Sequence, residues 1–171
     1  VRDEATIEFF VRGDPQPKGS FRVVTRTRRG RRLHVPRVLK DSARTYTWER
    51  TLAECARVAM HGGPPLVGPV RVDLVFYLRR PGSHLTRQGA LRVGSPELPQ
   101  VKPDIDKLAR SACDALSGIV FVDDKAIVSA TLVKVYARAA DPPGVRVRVQ
   151  PVTSLPAMLW AWGEETNDGV H

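Results

Sequence analysis

Three stretches of the chain alternate apolar and polar residues, the period of a half-buried strand. Ile7, Phe9 and Val11 share one face of a first strand over 5–11. Val70, Val72, Leu74, Phe76 and Leu78 lie on one side of 70–78, opposite Arg71 and Asp73, which predicts a central strand. Val145, Val147 and Val149 alternate with Arg146 and Arg148 and predict a last strand. The run 119–122 is β-branched and aromatic and predicts a short buried strand, and 126–136 a further one. Two stretches have helical spacing. The first starts at Asp41 or Ser42 and reaches about Met60, burying Tyr46, Leu52, Ala53, Ala56, Ala59 and Met60, with Trp48 packed. Gly62-Gly63-Pro64-Pro65 breaks the chain after it. The second follows Pro103, which disfavours an earlier helix start. Asp104 suits its N-cap, where a carboxylate accepts a free backbone N–H. Ile105, Leu108, Ala112, Ala115 and Leu116 form its apolar stripe, with Lys107, Arg110, Ser111 and Asp114 on the wetter side. Gly118 fits the C′ position that ends it.

The connections carry the charge. No acidic residue lies between Pro15 and Lys40, and the segment holds Arg22, Arg26, Arg28, Arg29, Arg31, Arg32 and Arg37. Residues 21–25 and 33–35 read as the arms of a hairpin with Arg29-Gly30 at its tip. It is either a solvated arm or one that grips phosphates, and phosphate contacts of this kind position a duplex without reading bases. Residues 79–101 form a long loop with little periodicity, a length that is often functional. It carries Arg79, Arg80, Arg87 and Arg92 and is a second candidate for DNA contact. Residues 155–162, with Trp160 and Trp162, are expected to pack on the core or at a subunit contact, and 163–171 form a polar tail. One domain over 1–162 follows. The order of elements predicts an α+β fold, a mixed or antiparallel sheet packed against two helices.

Composition narrows the function. The 171 residues carry a formal net charge of +9, which favours a polyanionic partner. Cys55 and Cys113 lie far apart and are expected as packed, reduced thiols. His34, His61, His84 and His171 are scattered without zinc spacing. The charged start has no apolar leader run and no apolar stretch approaches a membrane span, so a cytoplasmic protein with no membrane partner is expected.

The candidate chemistry lies in 102–134. Asp104 and Asp106 stand two apart, and Asp124 follows an apolar run. Each feature has an ordinary explanation, since acids favour helix starts and Asp-Asp is common turn chemistry. Together, three carboxylates in one place repel, and a cation offsets that. Mg²⁺ prefers oxygen ligands and keeps several waters, so Asp-x-Asp with one distant Asp suits it when phosphate supplies the rest.

The stretch Lys102-Pro103-Asp104-Ile105-Asp106-Lys107-Leu108, then Asp114-Ala115-Leu116, Gly118 and Val122-Asp123-Asp124, resembles the core motif of the RusA family of Holliday junction resolvases, often encoded by phages and prophages. Gly13-Asp14-Pro15-Gln16-Pro17-Lys18-Gly19 is similar to the opening of many phage members, and a weaker likeness runs from Ile7 to about Tyr136. The resemblance implies a homodimer that cuts branched DNA, the four-way junction above all, with Mg²⁺ as cofactor and Mn²⁺ as a possible substitute. It implies Asp104, Asp106 and Asp124 as metal ligands, with Arg110, Lys134 and Lys18 facing phosphate. Lys102 and Lys107 join the candidate DNA contacts. Two positions depart from the family pattern. Lys107 replaces a usual Asn, and Arg110 stands where a catalytic Lys is usual. Arg holds phosphate with a planar fork but stays protonated, so it supplies no proton. Arg110 is also four residues from Asp106 and Asp114, the spacing of an intrahelical salt bridge.

Two rival readings differ. Pro103-Asp104 with Asp123-x-Lys125 matches a restriction-enzyme-like PD-(D/E)xK core, which makes Lys125 catalytic and Asp106 dispensable. A non-catalytic basic DNA-binding module would use the same acids only as caps and turns.

Overall fold

In chain order the elements are β1 (Ile7–Arg12), β2 (Arg22–Arg28), β3 (Arg31–Arg37), α1 (Ala43–Ala59), β4 (Val70–Leu78), α2 (Ile105–Leu116), β5 (Ile127–Tyr136) and β6 (Gly144–Pro151). The computed structural model describes residues 6–19, 22–28, 31–37, 42–138 and 141–154, with 22–28 and 31–37 as backbone alone. The expected Arg29-Gly30 tip and the segments 155–162 and 163–171 lie outside the described residues.

A mixed sheet of four strands runs β1-β6-β4-β5. β6 is antiparallel to both β1 and β4, while β5 is parallel to β4, from Val70 beside Ile127 to Leu78 beside Tyr136. The alternation read from the sequence is kept. Val70, Val72, Leu74 and Phe76 of β4 and Val145, Val147 and Val149 of β6 are fully buried. They meet Trp48, Leu52 and Ala56 of α1 and Leu108, Ala112 and Leu116 of α2 in one core. The fold is therefore the expected α+β arrangement, a sheet with two helices on one face. The separate β2–β3 ribbon is antiparallel, with Arg22 opposite Arg37 and Arg28 opposite Arg31. No described helix is long and apolar enough to cross a membrane.

Three local expectations are corrected. Tyr46 is 68% exposed, and Thr45 is buried instead, in register with Trp48, Leu52 and Ala56. Tyr46 sits about 200° around the helix from Trp48, so both cannot face the core. Thr45 tolerates burial because its hydroxyl donates to the Pro17 carbonyl at 3.2 Å. Residues 119–122 are buried but form no strand. Leu66 N–H donates to the Val120 carbonyl and Val122 N–H to the Leu66 carbonyl, and the bridge stops there. Pro64, Pro65 and Pro69 around Leu66 carry no N–H, so no ladder extends. Gly118 does end α2, at φ +74°, in the left-handed region. Ser111, expected on the wet side, is fully buried and donates to Glu49 at 3.1 Å.

On the face of the sheet away from the helices, Gly144 admits a close approach. A Cβ there would lie 2.3 Å from the Val11 carbonyl oxygen and 2.5 Å from Phe10 Cζ. Backbone cannot yield as a flexible side chain can. Gly144→Ala is expected to destabilise the fold by about 1–3 kcal/mol, read as a lower urea midpoint. An unchanged midpoint would show that β1 and β6 are further apart than this.

Candidate active site

The site grows from the start of α2. Asp104 has extended geometry at the N-cap, and its carbonyl accepts the Leu108 N–H at 3.1 Å. Its carboxylate does not cap the helix as expected. It accepts instead from Lys107 Nζ at 2.5 Å. That hydrogen bond, then the Lys107 charge, with Lys102 and Lys134 adding to it, holds the Asp104 carboxyl below the usual carboxylate range. Asp106, in the first turn of α2, is exposed. The segment before the helix contains a cis Lys102-Pro103 bond. Lys134 Nζ holds this segment by donating to the carbonyls of Val101 at 2.9 Å and Pro103 at 3.0 Å. Lys134 thus ties the approach of α2 to β5, with its charge near Asp104.

Residues 13–19 close the other side. A cleft of about 330 Å³ is lined by Pro15, Gln16 and Pro17 of this loop with Lys102, Asp104 and Lys107. Lys18 N–H donates to the Lys107 carbonyl at 3.0 Å and fixes the loop to α2. The Lys18 ammonium turns inward, 2.9 Å from Glu49 and 3.1 Å from Asp114. Burial works against its charge, but the hydrogen bonds to Glu49 and Asp114 and their charges outweigh that and raise its pKa. Lys18, expected at the phosphate, is here the joint between loop, α1 and α2. Asp114 is taken by Lys18, and Arg110 makes no ion pair with any described residue, so of its two readings the intrahelical bridge does not form. Arg110 is exposed.

Asp124 lies elsewhere. It opens the single turn Asp124–Ala126 just before β5, and the residues leading to it bridge to Leu66 just before β4. Asp104 lies beside Lys134, near the far end of β5. The twelve residues of α2, about 18 Å long, separate the two ends. Asp124 is instead close enough to Cys113 to act on its thiol. Among the described residues, no three His, Cys, Asp or Glu side chains group as a metal cage. What α2 offers at its N-terminus is a pair, Asp104 and Asp106. Two exposed carboxylates, one kept firmly ionised, are hard oxygen donors of the kind Mg²⁺ takes when phosphate and water complete its shell. Asp123 accepts from Lys125 N–H at 3.0 Å and caps the same turn as Asp124, so Asp123 and Lys125 share its distance from Asp104.

Among the other candidate DNA contacts, Arg79 pairs with Asp14 at 3.3 Å. The Arg80 guanidinium lies 4.2 Å from the centre of the Tyr136 ring, and its Nη1 donates to the Pro96 carbonyl at 2.8 Å. Arg22, Arg26, Arg28, Arg31 and Arg32 sit on the β2–β3 ribbon, and Arg29 lies outside the described residues. The Lys18–Glu49–Asp114 cluster was not anticipated. Its one sequence signal was a basic residue in a Pro-rich loop, which does not say which carboxylates it will meet.

A family model described as Endodeoxyribonuclease RusA matches residues 13–150, from the Pro-Lys-Gly loop to β6. The chain belongs to the RusA family. It is therefore an endodeoxyribonuclease, of a family that resolves Holliday junctions. It is also similar to the Uncharacterized protein YqaN of Bacillus subtilis (strain 168), 26% identical over 161 residues, covering 86% of this chain and 98% of that one. In this RusA-family chain the motif acids divide between the two ends of α2.

The position of Asp124 has a measurable consequence. Burial first, then the charges of Asp114 and Asp124, push the Cys113 thiol up to about 11. At pH 8 roughly 0.1% of it is thiolate, so in a Cys55→Ser background alkylation by iodoacetamide should be slow and should accelerate up to about pH 11. Asp124→Asn removes a nearby negative charge, which favours the thiolate and moves that profile to lower pH. A profile unmoved by Asp124→Asn would separate Asp124 from Cys113.

Proposed function

We propose that this RusA-family protein is a Mg²⁺-dependent endonuclease that resolves four-way DNA junctions as a homodimer, with each active site shared between two protomers. The carrying observation is that Asp104 and Asp124 occupy opposite ends of α2 and β5. β5 is an edge strand whose only strand neighbour among the described residues is β4. It exposes Val128 at 47%, Leu132 at 36% and Val133 at 37%, with Val122 nearby at 57%. An unpaired edge with apolar side chains is a template for another chain. Two copies related by a twofold axis and joined antiparallel along β5 bring the start of one strand beside the end of the other. Asp124 of the partner subunit then arrives next to Asp104 and Asp106. The same symmetry yields two equivalent sites, which paired nicking of a junction requires.

In this arrangement Asp104 and Asp106 hold the cation with Asp124 of the partner subunit. Mg²⁺ bound there would supply an activated water and neutralise charge on the scissile phosphate. Lys107, whose ammonium sits on Asp104, adds its positive charge beside the same phosphate. Arg110, exposed and without an ion pair to a described residue, offers its planar fork to the same phosphate from the next turn. Lys134 keeps the 101–103 carbonyls in place and adds positive charge behind the site. The β2–β3 ribbon carries its arginines to the duplex arms, where contacts are to backbone.

Mixed dimers test the arrangement. Asp106→Asn and Asp124→Asn should each abolish cutting of a labelled synthetic four-way junction in Mg²⁺, while leaving junction binding. Co-refolding the two variants should restore nicking, because half of the mixed dimer's sites regain all three carboxylates. Each mixed dimer then has a single working site, so nicks appear unpaired. Failure of the mixture to regain activity would confine each site to one protomer. Full activity of the Asp106→Asn protein alone would remove the carboxylate site itself.

A further inference from the structure

Beyond the carboxylate cleft the protein holds a second opening, larger and differently built. At the ends of β4 and β5, on the sheet face away from the helices, lies a cavity of about 710 Å³. Its floor is aromatic. Phe10 and Tyr77 pack edge to face, centroids 5.9 Å apart at 64°, and Phe10 remains 38% exposed. Gly144 sits between them in the sheet, paired with Arg12 of β1 and Tyr77 of β4. Its missing Cβ lets the Phe10 ring lie across β6. An aromatic pair in this position adds nothing to the core, which is on the other face.

The walls are basic. Arg12, Arg80, Arg138 and Arg146 line the cavity with two carboxylates, Glu97 and Asp141. Despite those carboxylates, the guanidinium groups of Arg12, Arg138 and Arg146 make no ion pair with any described residue. A neighbouring cavity of about 740 Å³ shares Arg80, Tyr136, Arg138 and Asp141, so the two form one trough. The exposed Phe10 ring and the half-buried Tyr77 ring, beside arginines without an ion pair among the described residues, present the two surfaces a nucleotide needs, a stacking face and phosphate donors. A base within a duplex is already stacked on both sides, so only an unpaired one can lie on a recessed ring.

We propose that this trough binds an unpaired stretch of a DNA strand, stacking a base on Phe10 and Tyr77 and holding its phosphates with Arg12, Arg138 and Arg146. The inference rests on the reading of the protein as a nuclease of branched DNA. Its position fits that role. Leu98 lines the trough, and Asp104 follows six residues later. Lys134, which anchors 101–103, is two residues from Tyr136. The trough therefore opens at the end of β5 where Asp104 stands. A strand that leaves its pairing at the branch point would be held there while the adjoining phosphate lies by the carboxylates.

The test is photocrosslinking of the full-length chain, without divalent metal, to a single-stranded oligothymidylate containing 5-iododeoxyuridine. Crosslinked peptides should contain Phe10 or Tyr77. Arg146→Glu and, separately, Arg138→Ala should weaken binding of the unmodified oligothymidylate about 10-fold, the size of one lost stacking or phosphate contact. Their urea midpoints should match the unaltered protein, and their binding to fully paired duplex should change less than threefold. Crosslinks confined to residues 22–37, or unchanged oligothymidylate binding by both variants, would overturn the proposal. Cutting of a four-way junction in Mg²⁺ is scored separately. A protein that crosslinks through Phe10 and Tyr77 but cuts no junction keeps the trough and loses the resolvase reading. One that cuts junctions and crosslinks elsewhere does the reverse.

Discussion

The parallel pairing of β4 with β5 governs where the chemistry can be. A hairpin cannot join parallel neighbours, so the chain must cross back over the sheet, and α2 is that crossing. The crossing helix begins where β4 and β5 end and finishes where they begin. Asp104 and Asp124 flank it in sequence and are therefore sent to opposite ends of the sheet. The Leu66–Phe121 bridge fixes one end, and Lys134 on the Val101 and Pro103 carbonyls fixes the other. No rotation of side chains spans the length of α2. In the proposed dimer a shared cation would draw the second end from another copy, with the open, apolar edge of β5 as the surface on which a twofold partner reverses the two ends.

The same constraint explains why Lys18 points inward. With α2 lying beside α1, Glu49 and Asp114 face each other across the helix contact. Two half-buried carboxylates at close range need a cation. Lys18 supplies it from the loop that also forms one wall of the Asp104 cleft. Ser111 of α2 donates to Glu49 as well, so the Glu49 carboxylate is satisfied from the loop and from α2. A lysine placed in this way holds the wall of the site. Breaking such a pair leaves an uncompensated charge, which costs more than the pair contributes.

Much of this was legible in the chain. The alternation over 70–78 gives β4 its bounds and its place inside the sheet, because a strand with every second residue apolar needs a covered face. Asp104 and Gly118 stand at the two ends of α2 as read, Gly118 through its left-handed backbone and Asp104 by position, since its carboxylate turns to Lys107 instead of capping. The hairpin was readable from the arginine-rich arms about Arg29-Gly30, although its strands are longer than expected. What failed was non-local. The apolar run 119–122 reads as a strand, but among the described residues it makes isolated bridges alone, to Leu66 among prolines and to Ser117 at the end of α2. The convergence of Asp104, Asp106 and Asp124 was inferred from residue type, while their separation depends on whether β4 and β5 run parallel, which spacing does not reveal. Tyr46 reads as part of the buried stripe of α1, but with Trp48 packed the helical angle between them excludes it.

Net charge behaves the same way. A total of +9 says that a polyanion is welcome but not where it lies. The fold divides the arginines into two kinds. Arg50, Arg71 and Arg79 are matched by Glu54, Asp73 and Asp14, so their charges are largely cancelled. Arg12, Arg110, Arg138 and Arg146 have no such partner among the described residues. Arg110 stands one turn from Asp106, and the other three surround the aromatic trough. An unmatched guanidinium beside a ring or a carboxylate pair keeps its field for a ligand, whereas a matched one mainly fixes the protein to itself. Residues 98–104 lead from the trough to the first turns of α2, where Arg110 stands. In the proposed complex a DNA strand following 98–104 meets the stacking surface before the carboxylates, so the branch point and the bond to be cut are held apart.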